Sequence, residues 1–135
     1  MTPNNYQKFV LGLLSPQSRA DQLINATLGL VGEAGEFADM VKKHKHHGHE
    51  FERQKAILEL GDILFYVAEA ADELNATLEE VMMQNVAKLT KRYPSGKFTL
   101  EDSITKKDAQ QNEDTNAEDS GGTEESVGGE RSISQ

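Results

Sequence analysis

Apolar residues in the first 95 positions recur every three or four residues, which is the spacing of helices. No segment alternates apolar and polar residues over the length of a strand. The pattern therefore predicts an all-α fold, a four-helix bundle-type core. The predicted helices run from Pro3 to about Leu14, from about Ser18 to Lys43, from about Glu52 to Leu74, and from the cap at Thr77 to the residue before Pro94.

Local signals mark the ends of these helices. Ser15-Pro16 breaks the first helix, because proline cannot continue one from within. Thr77 with Glu80 three residues on forms a capping box at the start of the fourth helix. Residues 44–48 are predicted to form a loop, and its histidines to be solvated rather than to form a metal site.

The third predicted helix is apolar around nearly its whole circumference between Ala56 and Ala68. A helix of this kind is buried in a core or lies between subunits. Its acids, Glu59 and Asp62, flank Gly61 and lie on one face, because residues three apart are neighbours on a helix. Buried carboxylates without partners are very costly, so these two need cations.

The second helix repeats this arrangement with Glu33 and Glu36. Gly29, Gly32 and Gly35 recur beside them, although each glycine costs about 0.5–1 kcal/mol relative to alanine inside a helix. A stripe without side chains lets another helix approach closely. If the second and third helices pack antiparallel, their four carboxylates converge on a small volume.

Four carboxylates without cysteine or a nearby histidine form a set of hard oxygen donors, which favours Mg²⁺ or Mn²⁺ over zinc. Mg²⁺ commonly shares its coordination with substrate phosphates, so the set suggests hydrolysis of a phosphate ester or anhydride. The residues by themselves leave another interpretation open, in which the acids are solvated or held in salt bridges.

Charge is unevenly spread along the 135 residues. Residues 1–100 carry 13 acidic and 11 basic side chains, so −7 of the net charge of −9 falls in residues 101–135. We predict a helical domain over residues 1–98 and a disordered acidic tail over residues 99–135, because the tail has too little apolar surface to offset the entropy of ordering.

The same composition excludes several classes of function. A nearly neutral helical part gives no basic surface for nucleic acid, and the absence of cysteine excludes disulfide scaffolds and thiolate zinc sites. The N-terminus lacks the order of a signal peptide, and no run of about 20 apolar residues is present. We therefore expect no membrane partner and a cytoplasmic location, which is the host cytoplasm if the chain is phage-encoded.

The acidic motifs and the end of the fourth helix together resemble the MazG-like all-α nucleoside triphosphate pyrophosphohydrolases, and the compact single-domain, phage-type members are the most similar. The resemblance covers about residues 5–98. It is carried, in this order, by Gly32-Glu33-Ala34-Gly35-Glu36, Glu59-Leu60-Gly61-Asp62-Ile63-Leu64-Phe65-Tyr66, Asn85-Val86-Ala87-Lys88-Leu89 and Lys91-Arg92-Tyr93-Pro94.

The resemblance implies an activity and a cofactor. Members of this family cleave nucleoside triphosphates, often deoxynucleotides, between the α and β phosphates to give a monophosphate and pyrophosphate. They use Mg²⁺ held at positions that match Glu33, Glu36, Glu59 and Asp62, and one of these carboxylates, for which we choose Glu36, would activate the attacking water. The resemblance also implies a homodimer or homotetramer, in which helices from several subunits complete the bundle.

The end of the fourth helix offers candidate substrate contacts. Lys88 and Arg92, one turn apart, suit the phosphates, and Asn85 on the same face suits phosphate or sugar. The alternative is that these cations only stabilise the C-terminus of the helix. Tyr93 either packs against the bundle or stacks on a base.

Two other functions remain open at this point. One is a related helical hydrolase of another pyrophosphate, such as a phosphoribosyl nucleotide. The other is a helical interaction module without catalysis, against which the presence of all four acids argues.

Overall fold

A computed structural model describes residues 1–106 and 108–109 of the chain. Over these residues it contains six helices and no strand, which confirms the predicted all-α fold. The helices are α1 (Pro3–Leu13), α2 (Pro16–Ala20), α3 (Gln22–His47), α4 (Arg53–Glu73), α5 (Leu78–Arg92) and α6 (Leu100–Thr105). No helix within the described ranges is long and apolar enough to cross a membrane.

The chain divides into two compact units, Met1–Asn85 and Val86–Gln135. The first unit holds α1 to α4 and the start of α5, and the four acids fall within it. The second holds the rest of α5 and α6.

Two short helices, α2 and α6, begin at capping residues. Ser15-Pro16 ends α1 as predicted, but it also starts α2, because the Ser15 hydroxyl accepts a hydrogen bond from the backbone N–H of Ser18 at 3.0 Å. Thr99 caps α6 in the same way through the N–H of Asp102 at 3.1 Å. The helix α6 lies within the first residues of the predicted tail, and residues 107 and 110–135 of that tail lie outside the described part.

The predicted loop over residues 44–48 is wrong for its first four residues. The helix α3 continues through His47 and ends at Gly48, whose φ of 74° lies in the left-handed region that glycine adopts without strain. The backbone N–H of His49 then bonds the carbonyl of Lys43 at 3.3 Å. The helix therefore ends at the glycine rather than at the first histidine.

The helix α1 is fixed to α4 by one buried side chain. The Gln7 amide donates hydrogen bonds to the carbonyls of Ala68 at 3.3 Å and Ala76 at 3.0 Å, and its oxygen accepts from the N–H of Leu78 at 2.8 Å. Beside it, Val10 packs with Ala68 and Leu78 in a small apolar core.

A buried polar contact joins α3 to α4. The Asn25 amide donates to both carboxylate oxygens of Glu69, at 2.9 and 3.1 Å, and Glu69 is fully buried. The Gln22 amide donates to the Glu69 carbonyl at 3.1 Å and to Asp72 at 3.0 Å. Buried polar groups are costly when unpaired, so these bonds hold one helix at a defined position along the other.

The glycine stripe acts differently from the prediction. Gly29 does allow a close approach, but the neighbour is the ring of Tyr66 rather than a helix backbone, and a Cβ atom at this position would overlap that ring. Gly32, Gly35 and Gly61 have nothing within 4 Å of the place where a Cβ would lie. The expected close approach of a helix backbone is therefore wrong at Gly29, Gly32 and Gly35 within this chain, although Gly29 does make room for a side chain of α4.

Large apolar side chains remain exposed on α3 and α4, while the buried apolar residues of the described ranges are mostly alanines. Leu28 is 70% exposed, Val31 68% and Leu58 60%. Exposed apolar patches of this kind commonly mark association surfaces.

We predict that Gly29→Ala lowers the free energy of unfolding by about 1–3 kcal/mol, because the added methyl group displaces the Tyr66 ring. Gly32→Ala is the matched control on the same helix, and it should raise stability by about 0.5–1 kcal/mol through helix propensity. Urea denaturation of both variants measures the difference. Equal stability of the two variants would show that the ring does not depend on Gly29.

Candidate metal centre

The helices α3 and α4 lie antiparallel. Contacts that start with Asn25 and Glu69 continue with Gly29 beside Tyr66, so positions later in α3 meet positions earlier in α4. One further turn along α3 brings Glu33 to the acidic pair of α4, Glu59 and Asp62. The antiparallel arrangement on which the sequence argument depended is therefore present.

Three carboxylates converge at this place. Glu33, Glu59 and Asp62 each offer one oxygen, and these oxygens all lie within 4.8 Å of one another. Glu33 is half-buried, Glu59 is buried and Asp62 is exposed, so the group opens to solvent on one side. The i, i+3 spacing on α4 supplies two of the oxygens and α3 supplies the third.

The fourth predicted acid, Glu36, lies beside this group rather than within it. It lines a cleft of about 490 Å³ together with Glu59. The pKa of Glu33 is raised above its ordinary value by partial burial and then by the negative charges of Glu36, Asp62 and Glu59. The four acids thus share one electrostatic environment.

The donor set fits a divalent cation. Over the described residues, none of the four acids has a hydrogen bond or an ion pair, so the alternative of salt bridges is not what the structure shows. Glu59 is the most buried of the four acids, but neither of its carboxylate oxygens is sealed from solvent, so both stay accessible to a cation. Carboxylate oxygens are the ligands that hard divalent cations prefer.

Two tyrosines next to the acids were not among the predicted site residues. The Tyr6 hydroxyl donates to the Gly61 carbonyl at 3.3 Å, and the pKa of Tyr6 is raised by burial and by Asp62. Burial and then Glu33, Glu69 and Asp62 raise the pKa of Tyr66. Both tyrosines fall on the helical apolar pattern, so from the sequence they look like ordinary packing residues.

The candidate substrate residues lie along α5 and just after it. Asn85 and Lys88 are exposed on the helix. Arg92 is engaged by Asp108, with Nε and Nη2 donating to the two carboxylate oxygens at 2.6 and 2.7 Å. The ring of Tyr93 packs against Phe98 with ring centroids 5.7 Å apart. The structure thus gives Arg92 and Tyr93 partners within their own unit, and the substrate roles of all four residues stay predictions.

The histidine segment between α3 and α4 builds its own turn. His44 Nδ1 lies 2.9 Å from the carbonyl oxygen of His49, and the His44 ring lies 5.4 Å from that of Phe51. His49 also lines the cleft that holds Glu36. This segment therefore forms one end of the space beside the acids.

Comparison with known proteins places the acids inside a recognised domain. Residues 22–97 match the family model described as the MazG nucleotide pyrophosphohydrolase domain, and this range includes both acidic pairs. The chain is 40% identical over 74 residues to the "Gene 37 protein" of Mycobacterium phage L5, across 52% of this chain and 65% of that protein. The match therefore spans just under two thirds of the phage relative. No solved structure gave a significant match.

The raised pKa of Glu33 predicts a pH dependence of stability in the metal-free protein. The folded state binds the Glu33 proton more tightly than the unfolded state, so this stabilisation is complete below the ordinary value of 4.5 and is lost as the pH rises through the raised pKa. With chelator present, we expect the wild type to lose stability relative to Glu33→Gln as the pH rises from 4.5 through the raised pKa of Glu33. The quantity compared is the free energy of unfolding of the two proteins.

Saturating Mg²⁺ or Mn²⁺ should abolish this fall, because the cation removes the repulsion that raises the pKa. Thermal unfolding of both proteins at several pH values, with cation and with chelator, measures the effect. A difference between wild type and variant that stays constant with pH in chelator would contradict the electrostatic interpretation of the cluster.

Proposed function

The chain belongs to the MazG nucleotide pyrophosphohydrolase domain family, and from that premise we propose that it hydrolyses nucleoside triphosphates between the α and β phosphates. The products are a nucleoside monophosphate and pyrophosphate, and the cofactor is Mg²⁺, with Mn²⁺ as a substitute. The observation that carries the proposal is the group of carboxylate oxygens of Glu33, Glu59 and Asp62, all within 4.8 Å of one another and free of protein partners over the described residues.

The chain supplies the ligands and a base. Glu33, Glu59 and Asp62 would hold the metal, and Glu36 at the adjoining cleft adds to the negative charge around it. When bound, a divalent ion neutralises phosphate charge and lowers the pKa of water. We assign to Glu36, which lies outside the three-acid group, the role of the base that would take a proton from the water that attacks phosphorus.

We propose that four residues in α5 and just after it contact the substrate. Lys88 is exposed and suits a phosphate, and Asn85 suits a phosphate or the sugar. The Arg92 guanidinium binds a phosphate by exchanging the Asp108 carboxylate for it, since both anions accept two parallel N–H bonds. Tyr93 would stack on a base only if it leaves Phe98.

We also propose that the protein is a homodimer or homotetramer. The support is the exposed apolar surface of α3 and α4 around Leu28, Val31 and Leu58, next to a core of small side chains. A second copy presents the same surface and can bury it in an isologous contact. Because nucleoside triphosphates are cytoplasmic metabolites, the proposal places the protein in the cytoplasm.

The first test is turnover of dATP, dCTP, dGTP, dTTP, dUTP and the ribonucleotides, followed by pyrophosphate release with Mg²⁺ and with chelator. We expect Glu59→Gln and Asp62→Asn to lower kcat by at least about 100-fold, because each loses a ligand oxygen. Glu73→Gln, an exposed acid at the end of α4, should keep activity within about twofold.

Three results would contradict the proposal. Equal activity in a variant with all four acids changed to amides would exclude the carboxylate mechanism. Turnover of phosphoribosyl pyrophosphate compounds but of no nucleoside triphosphate would favour the related helical hydrolase. A chain that is folded and binds metal but hydrolyses neither class would favour the interaction module.

The assembly is tested by sedimentation velocity on the full chain, whose monomer mass is 14.9 kDa. We expect the wild type to sediment as a dimer or tetramer and Leu28→Lys to shift it toward the monomer, because a buried lysine opposes the contact. Lys45→Gln, on an exposed position of α3, should not change the mass. A monomeric wild type at micromolar concentration would contradict the proposal.

A further inference from the structure

The cleft beside the acids holds cations as well as carboxylates. It lies between the second half of α3 and the first turns of α4, and it has a volume of about 490 Å³. Glu36 and Glu59 line it on the side of the metal centre, and Lys43, His49 and Lys55 line it elsewhere. The cleft therefore places lysine side chains near the metal ligands, where an anion bound to the cation could reach them.

The two cleft lysines differ in how their charge is used. Lys43 is paired with Asp39, with Nζ 2.7 Å from Oδ2, and hydrogen bonds from Lys42 and Lys43 lower the pKa of Asp39 to about 2. Lys55 has no ion pair or hydrogen bond with any residue in the described part of the chain. Its ammonium group is therefore the uncommitted lysine charge of the cleft.

Helix geometry places Lys55 close to the metal centre. It lies four residues before Glu59, so the two residues share one face of α4 and are separated by roughly 6 Å along the helix axis. A lysine side chain can extend over such a distance, and its three N–H donors suit phosphate oxygens. An anion bound to a metal at Glu59 can therefore also reach Lys55.

We propose that Lys55 binds the pyrophosphate part of the substrate, that is, the β and γ phosphates, next to the acids that would hold the metal. This assignment rests on the proposed function. Asp39, Glu50 and Glu52 also line the cleft, so its five carboxylates outnumber its two lysines, and a polyphosphate would enter only together with the divalent cation and beside Lys55. Lys55 thereby selects triphosphates over diphosphates, since only a triphosphate leaves a pyrophosphate group to occupy the cleft.

The deciding variant is Lys55→Gln, with Lys45→Gln as the matched control. Both lysines are exposed, so neither substitution should unfold the protein, and Lys45 does not line the cleft. We expect Lys55→Gln to weaken the binding of pyrophosphate in Mg²⁺, measured by calorimetry, by about tenfold. Binding of a nucleoside monophosphate should stay unchanged, Lys55→Arg should restore most of the affinity, and Lys45→Gln should behave as the wild type.

The kinetic measurement addresses selectivity. In Lys55→Gln the kcat/KM for a triphosphate should fall about tenfold, while that for the matching diphosphate should be unchanged. Three results would overturn the assignment. Lys55→Gln could lose the same factor in kcat/KM for the triphosphate and for the diphosphate, or the same factor in affinity for pyrophosphate and for the monophosphate. It could also behave as Lys45→Gln does. The calorimetry needs no turnover, so an inactive wild type that still binds pyrophosphate through Lys55 would overturn the proposed function alone. A wild type that binds no pyrophosphate would overturn the assignment.

Discussion

The antiparallel register between α3 and α4 is the constraint on which the candidate site depends. The acids are spaced three residues apart on each helix, so a slide by one turn would separate the pairs by about 5.4 Å and leave no shared volume for a cation. The buried contact between Asn25 and Glu69 prevents such a slide, because it would leave a fully buried carboxylate without a donor. The Tyr66 ring lies against Gly29, where a Cβ atom would overlap it, so the two helices also meet closely at this position.

Charge imbalance is what this register produces. The carboxylates of Glu33, Glu59 and Asp62 come together, and no positive group of the described residues is paired with them. Partial burial and then repulsion from the neighbouring acids raise the pKa of Glu33, and a bound cation would relieve that repulsion. Binding sites commonly retain such unfavourable groups at a cost in stability, and the buried contacts elsewhere between α3 and α4 offset that cost here.

Much of the fold follows from local signals. The 3.6-residue periodicity and the capping box at Thr77 place the long helices within a few residues of their observed ends. The errors fall where a local signal has two meanings. Ser15-Pro16 stops one helix and starts another, and the histidines after Lys43 look like a loop although α3 ends only at Gly48. The left-handed conformation of a glycine, rather than the polarity of its neighbours, decides where that helix stops.

The sequence by itself determined the four long helices to within a few residues, the two acidic pairs and the kind of cation that their oxygens suit, because these depend on spacing and on side-chain chemistry. Only the tertiary structure decided that Glu36 lies beside the three-acid group, that Tyr6 and Tyr66 adjoin it, and that Lys55 faces the same cleft. It also decided that Arg92 is held by Asp108. These facts depend on the register and on contacts between distant residues. Periodicity along one helix carries no information about what another helix brings opposite to it.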